Sequence, residues 1–266
     1  MPKLSDKLAV QMYTIRDFTT DRQSLHNSLR KISELGYKAV QFSAVQCMNG
    51  GSPQVNARDA RDMLDEFGLR YIATHRSWND LVSKTDEEIA FHKTLGCDYA
   101  AIGGIDKNYP DTITGYRSWL KDAAKLVKAL KTEGIRFGHH NHSREFVRPC
   151  VPGPTLEDIL IDEGGSDLML ELDLYWVIHA GADPCRLLRR CAGRVPVIHL
   201  KDKEVLPGTN DGIIAPIGEG VIDWEGIIPV CEKCGVDWYA IEQDTCRRDP
   251  FDCLRSSFAC LSQMKV

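Results

Sequence analysis

The chain has 266 residues, 43% hydrophobic and 27% charged, with a formal net charge of −5. That length suits one complete α/β barrel of about 250 residues. Lys and Arg are spread along the chain instead of forming a basic run, which argues against a nucleic-acid backbone as the main ligand.

No uninterrupted apolar stretch approaches the roughly 20 residues of a membrane span. The ten cysteines are too sparse for a disulfide scaffold and read as reduced thiols, most of them packed as small hydrophobes. A lone Cys-x-x-Cys pair, Cys231 and Cys234, has no second pair at zinc-ribbon spacing and is read as structural. The segment from Met1 to Lys7 lacks the basic, apolar and small-residue regions of a signal peptide, so cytoplasmic residence is the expectation.

In chain order, hydrophobic patterning predicts a strand over 8–13, then a helix over 25–35 that stops at Gly36. A strand over 39–42 and a helix over 55–67 follow, then a strand over 71–75 and a helix over 85–95, with Gly68 and Gly96 as stops. A strand over 99–102 leads to a long helix over 116–133, and a strand over 135–140 to a shorter helix over 156–161. Strands over 168–172 and 195–199 come next. A polar loop carrying Gly208, Gly212, Gly218 and Gly220 then precedes a helix over 224–233, a last strand over 238–242 and a closing helix. Alternating strands and helices with short connections imply a parallel sheet with right-handed crossovers. Eight units favour closure into a (β/α)8 TIM barrel, a single domain over 1–266. An open sheet would carry a Gly-rich phosphate loop after the first strand, and Tyr13 to Phe18 is nothing like one.

In such a barrel every strand ends at one face, so polar residues far apart in sequence converge there. Glu145, Asp173, His199 and Glu242 fall at or just after strands five to eight. Three carboxylates and an imidazole form an oxygen-rich set suited to one Mn²⁺, Mg²⁺, Co²⁺ or Zn²⁺ ion with positions left open for substrate. Strand alternation sends His140 and His142 to one side and His139 to the other, so His139 is expected between sheet and helix. Glu171 and Asp173 share a face, with Asp173 nearer the mouth and the better ligand. Lys201 follows His199 on the same side, either holding an anionic oxygen or standing as a solvated loop lysine. Gln11, Gln41 and His75 add polar lining, His75 being the one chosen for substrate contact. Trp176, with Tyr175, either walls a sugar ring or packs a helix.

These residues carry a resemblance. His140-Asn141-His142-x-x-Glu145-Phe146, Asp173-x-Tyr175-Trp176 with Ala180-Gly181-x-Asp183-Pro184, His199-Leu200-Lys201-Asp202, Gly218-Glu219-Gly220-x-x-Asp223-Trp224 and Ile241-Glu242-Gln243-Asp244 together resemble the sugar phosphate isomerase/epimerase-like superfamily, the xylose-isomerase-like barrels. The resemblance spans essentially the whole chain. It implies a branch acting on inositol-derived ketones and 3-keto-glycosides, with epimerases, dehydratases, lyases and hydrolases among its members. It also implies a divalent metal, commonly manganese, held by a Glu, Asp, His, Glu set that matches Glu145, Asp173, His199 and Glu242, and it is compatible with a homo-oligomer. The chain departs from many relatives in bearing His140 where they carry their first carboxylate ligand, Gln41 where glutamate is frequent, and His139 where tyrosine is frequent.

The chemistry expected of such a site is removal of a proton from carbon next to a carbonyl, with the ion as a Lewis acid toward the enediolate. His142 is the expected base, with Glu242 or Glu145 assisting and Lys201 and His75 steadying oxygens; His75, His140, Gln11 and Trp176 line the site for a carbohydrate substrate. Returning the proton gives epimerisation or isomerisation, and expelling a β-substituent gives elimination. Two readings of other classes compete: a DNA-repair endonuclease on the same barrel, which the acidic charge balance opposes, and a non-catalytic sugar-binding subunit, which the ligand set opposes.

Overall fold

The computed structural model describes residues 3–208 and 212–264; residues 1–2, 209–211 and 265–266 lie outside the described residues, as do the corresponding ends of the expected domain. Eight parallel strands close into a barrel: β1 (Leu8–Gln11), β2 (Ala39–Phe42), β3 (Arg70–His75), β4 (Tyr99–Ile102), β5 (Arg136–His140), β6 (Leu168–Asp173), β7 (Val197–Leu200) and, after a hairpin of β8 (Asp202–Val205) and β9 (Gly212–Ala215), β10 (Trp238–Ile241). Closure is made where β1 meets β10, with Leu8 opposite Tyr239 and Val10 opposite Ile241. The fold is therefore the single-domain TIM barrel expected.

The outer helices follow from capping and patterning. Asp21, Asn56, Thr112 and Thr155 each accept a backbone N–H at the start of α1 (Arg22–Glu34), α2 (Ala57–Phe67), α5 (Ile113–Thr132) and α6 (Leu156–Glu163). Gly68 and Gly96 end α2 and α4 (Thr85–Leu95) in the left-handed conformation that a Cβ disfavours. The apolar faces of these helices pack on the outward residues of the strands, such as Val10, Val40, Phe137 and Ile198, in one continuous core. Inside the barrel, small side chains dominate: Ala9, Ala39, Ala73, Ala101 and Ala240 surround Tyr99 and Val197. Those alanines leave the width that the polar layer above them needs. A register shift between β2 and β3 skips Ile72, so Gln41 sits opposite Ala73.

Several details differ from the sequence reading. β1 is shorter because Gln11 accepts from Tyr13 N at 2.6 Å and turns the chain into a 3₁₀ segment, Met12–Phe18. A short helix, α3 (Trp78–Ser83), precedes α4. The long polar loop after β7 holds an antiparallel hairpin, β8 (Asp202–Val205) with β9 (Gly212–Ala215); the loop residues 209–211 are not described. Asp202 anchors this hairpin: its fully buried carboxylate accepts from the backbone N–H of Lys203, Gly218 and Ile222. No helix among the described residues is long and apolar enough to cross a membrane.

Candidate metal centre at the barrel mouth

Strands β3, β5, β6, β7 and β10 deliver their last inward residues to one point. Two overlapping sets of ligand atoms result, each with all atoms within 4.8 Å: an acidic set of Asp173, His199 and Glu242, and an imidazole-rich set of His75, His140, Glu171 and His199. His199 belongs to both because its two nitrogens face opposite ways. Nδ1 donates to Glu242 Oε2 at 2.8 Å, while Nε2 donates to Gln41 Oε1 at 2.8 Å and lies 3.2 Å from Glu171 Oε2. Gln41 is oriented in turn by donating its amide N–H to Glu171 Oε1 at 2.9 Å. Glu171 Oε2 also accepts from His75 Nε2 and is 3.5 Å from His140 Nδ1. The three rings stand with centroids 4.5–5.5 Å apart. Lys201 reaches in from the far side, its ammonium 2.9 Å from each of Asp173 Oδ2, Glu242 Oε2 and Asp244 Oδ2, with only 1% exposure.

Burial would protonate these carboxylates and deprotonate these bases; neighbouring charge decides which groups resist. Burial pushes Glu171 up, but His75 and His199 hold it well below the usual carboxylate range. Lys201 and His199 do the same for Glu242. Against the burial that would lower it, Glu171 and Glu242 raise His199 to about 10. Burial dominates at Asp173, raised to about 6 despite Lys201. It also dominates at His140, held neutral, and at His142, lowered to about 4 by burial and then by Lys201. The residues suit a divalent ion: Asp173 Oδ2 and His140 Nδ1 are buried without an aligned hydrogen bond, and carboxylates and imidazoles are the donors such an ion takes.

Residues 29–257 match the profile of the xylose isomerase-like TIM barrel family. The chain belongs to that family. Among curated relatives it is similar to the inosose dehydratase of Clostridium perfringens, 23% identical over 208 residues, 72% of this chain and 64% of that one. The chain thus spans a little under two thirds of the length of that relative, and 47% of the inosose dehydratase of Clostridium beijerinckii. Among solved structures, a sugar phosphate isomerase/epimerase from Parabacteroides distasonis superposes with a TM-score of 0.77 at 20% identity, covering 97% of this chain and 94% of that one. The IolI protein, solved with a bound zinc atom, superposes with a TM-score of 0.72 at 13% identity, covering 97% and 99%.

Within this xylose isomerase-like barrel, Asp173, His199 and Glu242 meet as the sequence suggested, but Glu145 does not join them. β5 ends at His140, and the chain turns through a 3₁₀ segment, Ser143–Phe146, that carries residue 145 off the inward register. Glu145 is buried, accepting from His142 N and Arg144 Nε at 2.8 Å each, and its charge acts on Tyr116 and Glu157 of the outer helices. The strand-five side chain that reaches the cluster is His140. Glu171, passed over in favour of Asp173, sits among three imidazoles. Gln11 is 1% exposed and accepts from Tyr13 N at 2.6 Å. Lys201 is no solvated loop lysine. Trp176 lies at the mouth, its ring 5.6 Å from Lys201 Nζ and 5.7 Å from the His142 ring, with Nε1 unpartnered. His139 faces outward against Trp119, as alternation predicts. Asn141, given no role of its own in the sequence, clamps β5 to β6, its Oδ1 accepting from Asp173 N at 2.9 Å and its Nδ2 donating to Asp173 O at 3.3 Å. Its signal was present only as the polar residue between two histidines.

Proposed function

We propose that this protein is a divalent-metal-dependent isomerase or epimerase that removes a proton from the carbon next to the carbonyl of a keto-sugar, inosose or 3-keto-glycoside. The observation that carries the reading is the meeting of two metal-capable sets at His199, beside a buried ammonium and a half-buried neutral imidazole. His199 would hold the ion, with partners drawn from one or other set. When bound, the ion supplies a Lewis acid for the carbonyl oxygen.

The chain's own groups do the rest. His142 is neutral and stands at the rim between His140 and Trp176, placed to take the proton as general base. The Lys201 ammonium is fixed by three carboxylates and donates to oxygen as negative charge develops on it. Trp176 offers a flat apolar face to a sugar ring and an unpartnered N–H to a hydroxyl. After proton removal, return of the proton to the opposite face gives the epimer.

A second reading has a specific support: the curated relatives are inosose dehydratases. In that case the site expels the β-hydroxyl, and a cation beside the leaving oxygen assists. Incubating metal-loaded protein with a panel of inososes, keto-sugars and 3-keto-glycosides in D₂O separates the two, since NMR reads deuterium at the carbon in an epimer and loss of a hydroxyl in a dehydration. His142→Ala should lower turnover about 10²–10⁴-fold with little change in bound metal. If the metal-loaded protein exchanges no solvent deuterium into any of these ketones and eliminates nothing from them, the reading fails.

A further inference from the structure

Beside the centre, a second space opens between the ends of β2 and β3, and His75 is the wall common to both. Its Nε2 donates to Glu171 at the centre, while the same residue lines the slot. Phe42, Val45, Met48 and Phe91 give the slot apolar walls. Ser43 and Asn49 add polar side chains that make no hydrogen bond among the described residues. The walls are held from behind. The Phe42 and Tyr71 rings pack with centroids 4.3 Å apart, and the Arg76 guanidinium lies 4.5 Å from the centre of the Phe91 ring while donating to Glu88 Oε2 at 2.7 Å. Ala44, also on the slot, has a φ of 54°, the one non-glycine residue among the described residues in the left-handed region. Such strain persists where surrounding structure enforces it, and it gathers at binding sites.

We propose that this slot takes a hydroxymethyl group carried on the ring of the substrate. The substrate is then a pyranose keto-sugar or 3-keto-glycoside bearing that group, and not an inosose, whose ring carries no exocyclic carbon. This rests on the reading proposed above and narrows its substrate class. The slot leaves about 30 Å³ for the centres of water-sized groups, and one such group takes roughly 10–15 Å³, so about two non-hydrogen atoms fit and a second sugar ring does not. A methylene carbon gains by leaving water for the apolar walls, and Ser43 and Asn49 are free to bond the hydroxyl beyond it. A lone hydroxyl would face those walls without benefit, and a methyl group would leave the two polar side chains unanswered. Because His75 separates slot and centre by the width of one imidazole, a ring held at the centre reaches the slot with a short substituent on its His75 side.

Two ketones that differ only in the group at issue test this: methyl 3-keto-β-glucopyranoside and its xylopyranoside counterpart, which has hydrogen in place of the hydroxymethyl. Metal-loaded wild-type protein is given each of them, and an inosose, in D₂O, and turnover is followed by NMR over a range of concentrations. The glucoside should exceed the xyloside in kcat/KM by about 10–100-fold, and the inosose by at least as much. Ser43→Leu, which fills the slot, should shrink the preference for the glucoside over the xyloside to less than about threefold. The wild-type comparison needs no variant, so misfolding cannot imitate the result. Equal turnover of the two glycosides, a faster inosose, or reaction confined to ketones without a ring hydroxymethyl would overturn the slot and leave the metal-dependent reading standing. A protein that acts on no member of the wider panel of ketones would overturn both.

Discussion

Lys201 shows how little a single residue type says until its surroundings are known. In sequence it follows a strand end and could equally have been a solvated lysine; in the fold it is 1% exposed and bound to three carboxylates. Its partners Asp173, Glu242 and Asp244 come from two other strand ends, and nothing in local periodicity announces them. Lys201→Met should therefore lower turnover about 10²–10³-fold through loss of a positioned charge at developing oxyanion; steady-state kinetics would show it, and a variant that turned over like the wild type would remove Lys201 from the chemistry. Asp173, His199 and Glu242 were legible because each closes a hydrophobic run at a strand end. Glu145 misled for the opposite reason. It lies beyond the strand, where alternation no longer governs direction, and a 3₁₀ turn took it outward. Glu171 was visible on the same face as Asp173, but the histidines on β3, β5 and β7 that point at it lie far away in sequence and gave no local sign of it.

At the scale of elements, polar clamps set the mouth's geometry. The reciprocal Asn141–Asp173 bonds join the ends of β5 and β6 at the level of the site. Asn141→Ala leaves the buried Asp173 N–H unpaired and should cost about 1–3 kcal/mol by denaturant unfolding. A second element carries an unusual group. Glu157 on α6 is buried with both oxygens unpartnered, and burial, then the charges of Glu145 and Asp158, push its carboxyl up to about 8. The unfolded side chain titrates near 4.5. Between those values the folded chain keeps a proton that the unfolded chain has lost, so this group makes stability fall as pH rises from about 4.5 to about 8, by an amount on the order of a few kcal/mol. Glu157→Gln should raise the melting temperature at pH 8 and leave it nearly unchanged at pH 5; equal effects at both would show that Glu157 titrates normally. The helix containing it was read from sequence correctly, and its depth was not, since a glutamate at a helix start reads as exposed and favourable to the dipole.

Across the whole molecule, the barrel was the most legible feature, because eight repeats of strand and helix punctuated by glycine leave few topologies open. The hairpin and the short helix α3 were missed: both lie in mouth loops, where sequence answers to the site and hydrophobic periodicity fades. Closure through β1 and β10 leaves no strand edge at which half the barrel could detach. The five tryptophans lie on α3, α5, α7 (Leu174–His179), α9 (Trp224–Lys233) and β10, so their fluorescence samples most of the circumference. Thermal melts followed by tryptophan emission and by far-UV circular dichroism should coincide; separated transitions would reveal independently melting halves.

The same closure has a consequence in time. During synthesis, the strands with mostly small inward residues, β1 to β4, emerge first and bring only Gln41 and His75 to the mouth, while every carboxylate of the centre and the lysine among them emerge with β6, β7 and the residues after β10. A nascent chain cannot complete the acidic set of Asp173, His199 and Glu242 until the residue just after β10 is in place. Completion of that carboxylate cluster is thereby made a late act of folding, and a chain stalled short of its final strand carries Asp173 and His199 without Glu242.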